Sequence, residues 1–415
     1  MYLGMDFGTS GARACVLNAA GDIVHVDRID YRDAEEQTPE DWREALHILL
    51  RQLPAAIAAQ LQRIALDATS STVLLCDAKL QPVSRALPYN DARALVQAEQ
   101  LKALAPAGHT VCNASSGLAK FLWLTQNINL ENAAYFMHQA DWLSALLTAR
   151  GGASDYHNAL KSGYDTERLC WPEWILRLPH AHLLPHVMAP GSLIAEISPA
   201  IAQHFNINPS CTIHAGTTDS IAAFIAADVH KPGEAVTSLG STLVLKLLST
   251  NRVESVQHGV YSHRYGSLWL AGGASNAGGG VLKQYFSEEQ LVELSRSIDA
   301  SRDSPLDYYP LLRPGERFPY NDPYLAPRMT PRPGNDAAFL HGILYGLSSI
   351  ESKGYEIIGQ LGATPLRSVA TCGGGAGNTV WQDIRARLLG VPVSTAQHTE
   401  AAYGAALLAK HAAII

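Results

Sequence analysis

Short apolar runs broken by glycine and hydroxyl residues set the pattern of this chain, and one such break occurs twice. Leu3-Gly4-Met5-Asp6-Phe7 leads into Gly8-Thr9-Ser10-Gly11 and resumes as Ala12-Arg13-Ala14-Cys15-Val16-Leu17. Ala235-Val236-Thr237-Ser238-Leu239 leads into Gly240-Ser241-Thr242 and resumes as Leu243-Val244-Leu245. Each predicts a strand, a tight turn and a second strand. Around the first copy the pattern predicts strands at 2–7, 12–18 and 22–30. A helix should open at Thr38-Pro39-Glu40-Asp41, with cap, N1 proline and first-turn acids in place, and run to about residue 61. The apolar Arg63-Ile64-Ala65-Leu66-Asp67-Ala68 reads as a strand ending at Thr69-Ser70-Ser71. After the tight Pro88-Tyr89-Asn90-Asp91 loop, a mostly helical stretch holding Trp123 and Trp142 runs to about residue 150.

The second half repeats the order. Strands are expected at 234–239, 242–248 and 267–271, the last ending in the glycine-rich 272–280 run. A long helix follows at about 336–361, then a strand at 368–371 closed by Cys372-Gly373-Gly374-Gly375-Ala376-Gly377-Asn378, then a helix from Thr379. The proline-rich 305–333 span reads as a long surface excursion. Two copies of one plan predict an α/β chain of two similar domains, each a mixed sheet flanked by helices.

With 415 residues, two or three domains are expected, and a hydrophobic fraction of 47% suffices for their cores. A net charge of -7 presents no basic surface to nucleic acid. The six cysteines form no C-x-x-C pair, which favours reduced thiols. Sixteen histidines show no H-E-x-x-H spacing, so a protein-only zinc site is not expected. No uncharged apolar stretch approaches the ~18 residues of a membrane span. A strand beginning at residue 2 leaves no room for a signal peptide, so a cytoplasmic location is expected.

Glycine-tight turns that aim N–H groups and hydroxyls outward suit an anion such as phosphate. Asp6 directly precedes the first turn: it is either a strand-end carboxylate bonded locally or an oxygen ligand for a Mg²⁺–phosphate complex. Thr9 and Ser10 supply hydroxyls there, and Arg13 either reaches the same anion or pairs on the surface. Asp219, between His214-Ala215-Gly216-Thr217-Thr218 and an apolar helix, is either an N-cap or a general base acting on a substrate hydroxyl. The 373–377 glycines would let a flat ring lie on the backbone, with Asn378 and Trp381 in reach. Trp123, Trp142, Trp171 and Trp174 read as packing residues, and Arg93 as a loop anchor.

Five blocks in order resemble the FGGY carbohydrate kinases, a branch of the actin-like, ribonuclease H-like ATPases. They are Gly4-x-Asp6-x-Gly8-Thr9-Ser10-x-x-Arg13, Tyr89-Asn90-Asp91-Ala92-Arg93, Ala215-Gly216-Thr217-Thr218-Asp219, Gly240-Ser241-Thr242 and Gly373-Gly374-Gly375-x-x-Asn378. Glu400-Ala401-Ala402-Tyr403-Gly404-Ala405-Ala406 resembles the family's closing helix. The resemblance implies ATP- and Mg²⁺-dependent phosphorylation of a sugar in an interdomain cleft. The N-terminal domain would be 1–226, completed by the helix at 400–415, and the nucleotide domain 227–399. Asp219 would be the catalytic base. Asp6 would organise Mg²⁺ and touch the reacting hydroxyl. Thr9, Ser10, Arg13, Gly240, Ser241 and Thr242 would face phosphate, and Gly374, Gly375, Asn378 and Trp381 the adenosine.

Family members are commonly longer, and the sugar-loop tryptophan of xylulokinases is Tyr89 here. With Thr69-Ser70-Ser71-Thr72 and Ser154-Asp155-Tyr156-His157-Asn158, this resembles the short D-ribulose kinases of cyanobacteria and plants. That resemblance implies a ketopentose held by Asp6, Ser70 and Asp219, with D-ribulose going to D-ribulose 5-phosphate. The alternatives are a kinase for D-xylulose or a polyol, and a non-kinase actin-like ATPase or sensor.

Overall fold

The computed structural model describes residues 1–33, 36–106 and 108–414. By their internal contacts the residues form two compact units, Met1–Ala226 with Glu400–Ile415, and Ala227–Thr399.

The first unit is built on a six-stranded mixed sheet in the order Ile23–Asp30, Gly11–Leu17, Tyr2–Phe7, Arg63–Ala68, Thr212–Thr218, Leu193–Glu196. The first three strands form the expected antiparallel meander, and Tyr2–Phe7, Arg63–Ala68 and Thr212–Thr218 run parallel. Parallel strands are covered on both faces, which is why Ile64, Ala65 and Leu66 follow one another without alternation and are all fully buried. The helix Pro39–Gln52 starts with a capping box between Thr38 and Asp41. It ends short of the expected 61, because Leu53 precedes Pro54 and takes extended backbone. The helix Ala401–His411 packs on Tyr2–Phe7 at a distance only glycine allows. A Cβ on Gly4 would lie 2.1 Å from the Ala406 nitrogen, and one on Gly404 would lie 1.9 Å from the Ala222 oxygen.

In the second unit the sheet order is Tyr261–Tyr265, Leu268–Ser275, Leu243–Ser249, Glu234–Leu239, Ser368–Cys372, Val393–Thr395. The plan is the same: antiparallel strands first, then Glu234–Leu239 parallel to Ser368–Cys372. Two expectations need correction. The strand expected at 267–271 continues to Ser275 through Gly272 and Gly273, since missing side chains there admit Leu245 O and the Phe318 ring. The 305–333 span is not simply a surface excursion. Phe318 is fully buried in the space left by Gly273 and Gly354, and Tyr308 and Leu311 are buried with it. Glu316 anchors the span, accepting hydrogen bonds from Ser275 Oγ (2.6 Å), Asn276 N (2.7 Å) and Tyr309 Oη (3.0 Å).

A buried ion pair ties the strand ends of this second sheet together. Arg385 donates from Nε to Glu351 Oε2 (2.6 Å), from Nη2 to Oε1 (2.7 Å) and from Nη1 to Thr371 Oγ1 (2.7 Å). Thr237 Oγ1 donates to the same Glu351 Oε1 at 2.6 Å. Thr237 and Thr371 lie on the two strands that lead into the 240–242 and 373–377 turns, so one guanidinium fixes both approaches. Removing one partner of a buried pair strands the other charge, so Arg385→Met should cost about 3–5 kcal/mol in chemical unfolding of the whole chain. A loss below about 1 kcal/mol would show that the pair does not hold the sheet.

Candidate active site

In the first unit, the pairing of parallel strands places Asp6 opposite Asp67 and Asp67 opposite Thr217, two residues before Asp219. Asp6 is 3% exposed and Asp67 is fully buried. No N–H or O–H group among the described residues donates to either Asp67 oxygen. The neighbouring carboxyl is that of Asp6, and two carboxyls set side by side compete for charge unless one of them keeps a proton. Burial, then the Asp6 and Asp219 charges, hold the Asp67 carboxyl well above the usual carboxylate range. Burial also raises Asp6, against the lowering effects of Asp67 and of Arg13, whose Nη1 lies 3.0 Å from Asp6 Oδ2.

Arg13 also lies 3.4 Å from Glu400, so the structure gives it carboxylate partners within this unit. Thr9 and Ser10 form the exposed tip of the first turn, which Gly8 N closes by donating to Gly11 O (3.0 Å). Asp219 is half-buried at the first position of the helix Asp219–Ala226. Ser70 is half-buried in the turn after Arg63–Ala68, while Ser71 beside it is buried with φ 68°. Lys120 secures this turn. Its fully buried ammonium donates to Ser71 O (2.8 Å) and Pro88 O (2.5 Å), and burial pushes its pKa down to about 7. Asp91 accepts from Arg93 Nε at 2.8 Å, and that guanidinium lies 5.1 Å above the Trp123 ring, so Arg93 is a loop anchor. A cavity of about 760 Å³ opens beside this loop, lined among others by Thr38, Arg85, Pro88, Asp91 and Arg93.

In the second unit, the carbonyls of the 240–242 turn are bound from behind. Gly279 N donates to Gly240 O (2.8 Å) and Gly280 N to Ser241 O (3.2 Å), while Ser241 itself is exposed. Gly374 is exposed and Gly375 half-buried in the second glycine turn. Trp381 departs from its expected role. It is 2% exposed, its Nε1 donates to Ser348 Oγ (3.1 Å), and its ring lies under Gly375, so it supports the turn from the core rather than meeting a ligand. Asn378 caps the helix Thr379–Leu389 through Oδ1 and donates to Ser295 Oγ (2.9 Å), so both its polar ends are engaged.

Asp67 and Lys120 were not singled out from sequence. The signal for Asp67 was a lone acid in an apolar strand, the same number of residues from the strand end as Asp6. For Lys120 it was a lone cation on the apolar Gly117–Asn127 helix.

The chain belongs to the FGGY family of carbohydrate kinases: residues 1–226 match the family's N-terminal domain and 235–413 its C-terminal domain. It is 24% identical over 447 residues to a xylulose kinase of Klebsiella pneumoniae, covering 100% of this chain and 90% of that protein. Among solved structures, a kinase from Brucella ovis superposes with a TM-score of 0.86 at 24% identity, covering 99% of this chain and 90% of that one. A glycerol kinase of Plasmodium falciparum with ADP gives a TM-score of 0.85 at 17% identity, covering 99% and 89%. The fold is therefore the two-domain, actin-like fold of these kinases.

Near the strand ends, Asp155 is fully buried and caps the helix Tyr156–Leu160, accepting from His157 N (2.7 Å) and Asn158 N (3.0 Å). Burial, with the Asp141 charge added, pushes its pKa up to about 7. A raised carboxyl keeps a proton in the folded state that the unfolded chain releases, so its stabilisation is present at low pH and lost as pH rises through about 7. Unfolding free energy should therefore fall between about pH 4 and 7, by at most about 1.4 kcal/mol per pH unit from this group, and level off above that. Asp155→Asn, which keeps a good cap, should flatten that slope. Identical slopes in variant and wild type would contradict the assignment.

Proposed function

We propose that this sugar kinase transfers the γ-phosphoryl group of ATP to a ketopentose, D-ribulose at its 5-hydroxyl. The observation that carries the reading is the placement of Asp219. It is a half-buried carboxylate at the start of the helix that directly follows Thr212–Thr218, the strand paired with the one bearing Asp67, which in turn lies opposite Asp6. Asp219 accepts the proton of the attacking hydroxyl, a role worth roughly 10²–10⁴-fold. Asp6 and Ser70 orient the sugar, and Thr9 and Ser10 meet phosphate in the first unit. Ser241, Thr242 and the N–H groups of their turn take the phosphates in the second unit, and the base lies along Gly374 and Gly375. Alignment and charge neutralisation supply most of the remaining rate in phosphoryl transfer.

Mg²⁺ enters with ATP as part of the substrate complex and shields the charge on the phosphates. The donor set fits it. Asp6 presents a hard oxygen at the end of its strand, and Mg²⁺ is usually held by one or two carboxylates plus phosphate and water.

D-xylulose is the second reading, favoured by the relatives named xylulose kinase at 22–25% identity over nearly the whole chain. One assay decides between them. ADP release is measured on D-ribulose, D-xylulose, ribitol and xylitol, with Asp219→Ala as a parallel arm. The highest kcat/KM is expected on D-ribulose, and in the variant a loss of at least about 10²-fold with ADP binding retained. A higher kcat/KM on D-xylulose would overturn the D-ribulose reading, and near-normal turnover by the variant would overturn the role of Asp219.

A further inference from the structure

Among the described residues of the first unit, buried side-chain atoms without a hydrogen-bond partner are Tyr31 Oη, Arg43 Nε, the two Asp67 oxygens, and a group of four near the ends of Arg63–Ala68 and Thr212–Thr218. The four are Ser71 Oγ, Gln139 Nε2, Asn158 Oδ1 and Thr218 Oγ1, on residues that are 2%, 0%, 1% and 1% exposed. Leaving such an atom unpaired costs about 1–3 kcal/mol, so a cluster of them marks a place where something else completes the bonding.

These atoms belong to one connected structure. Thr218 lies opposite Ala68 in the parallel ladder, three residues before Ser71. Gln139 Oε1 accepts from Thr69 Oγ1 (2.7 Å), and Gln139 N donates to Thr72 O (3.0 Å), which fixes the amide against the turn that contains Ser71. Asn158 Nδ2 donates to Asp155 Oδ2 (2.6 Å) and to Thr217 O (3.3 Å), which leaves Oδ1 as its open acceptor next to Thr218. Lys120 and the left-handed backbone at Ser71 hold the turn in place. Each residue's other polar groups are thus used to position it, and one atom is kept unpaired.

We propose that Ser71, Gln139, Asn158 and Thr218 form the hydroxyl-reading wall of the sugar site. A donor from Gln139, an acceptor from Asn158 and two hydroxyls that serve either way match a chain of sugar hydroxyls and a carbonyl, and suit neither a hydrocarbon nor an anion. The proposal rests on the sugar-kinase reading and adds specificity residues to it. Thr218 immediately precedes the proposed base Asp219, so a sugar bonded to its hydroxyl is placed within one residue of the proton acceptor.

The test uses Thr218→Val and Ser71→Ala in the full chain. Each removes an unpaired hydroxyl without breaking a bond within the protein. For each variant, melting temperature without ligand and steady-state constants for the wild type's best sugar and for ATP are measured. If the hydroxyls serve the sugar, the free variants melt at or above the wild-type temperature, since a buried unpaired polar atom is gone. Sugar kcat/KM then falls roughly tenfold per lost hydrogen bond, with the ATP KM unchanged. A lower melting temperature together with sugar kcat/KM within about twofold of wild type would show that the atoms bond structural water, and would overturn the proposal. Gln139→Glu, which keeps the acceptor for Thr69 and reverses the open donor, is the independent check: unchanged sugar kcat/KM there also overturns it. If the wild type phosphorylates no sugar, the kinase reading fails before any variant is compared.

Discussion

The rest of the site depends on one constraint, the register that sets Asp6 against Asp67 on adjacent parallel strands, both buried. Two carboxylates so placed cannot both be charged without a proton or cation between them. The surrounding structure is arranged to tolerate this. Arg13 stands against Asp6, and the Ala401–His411 helix closes over Gly4, two residues before the carboxylate. The second unit uses the same register with neutral chemistry. Ser238 lies opposite Cys372, a hydroxyl and a thiol that do not compete for charge. One scaffold thus appears twice with different fillings. The charged copy suits chemistry at a substrate hydroxyl, and the neutral copy suits a turn that meets anionic phosphates.

Much of this was legible in the chain because it is local. The two turns, the Thr38 cap and the strand containing Asp67 all follow from residues within a few positions of one another. What stayed hidden depends on pairing between distant segments. Asp67 looked like an ordinary strand residue until the ladder placed it beside Asp6, 61 positions earlier in the chain. In sequence Trp381 reads as within reach of a ring lying on the glycine turn, yet its buried indole fits beneath that turn instead. The core role of Phe318 depends on two glycines, Gly273 and Gly354, from separate elements. The Glu351–Arg385 pair joins two helices and two strands that no periodicity connects.

Substrate choice lies at the same level. Relatives named for xylulose and gluconate align over most of the chain, and a glycerol kinase shares the fold, so backbone architecture alone does not select the sugar. In the site proposed here, selection falls to short polar side chains at the ends of Arg63–Ala68 and Thr212–Thr218, held by residues such as Lys120 and Asp155.

The division of labour between the two copies is the central claim, and calorimetric titration of Asp67→Asn with ADP and, separately, with the ketopentose tests it most directly. Weakened sugar binding with ADP affinity unchanged is expected if, as proposed, the carboxyl pair serves the sugar side. Weakened ADP binding with sugar affinity intact would contradict it.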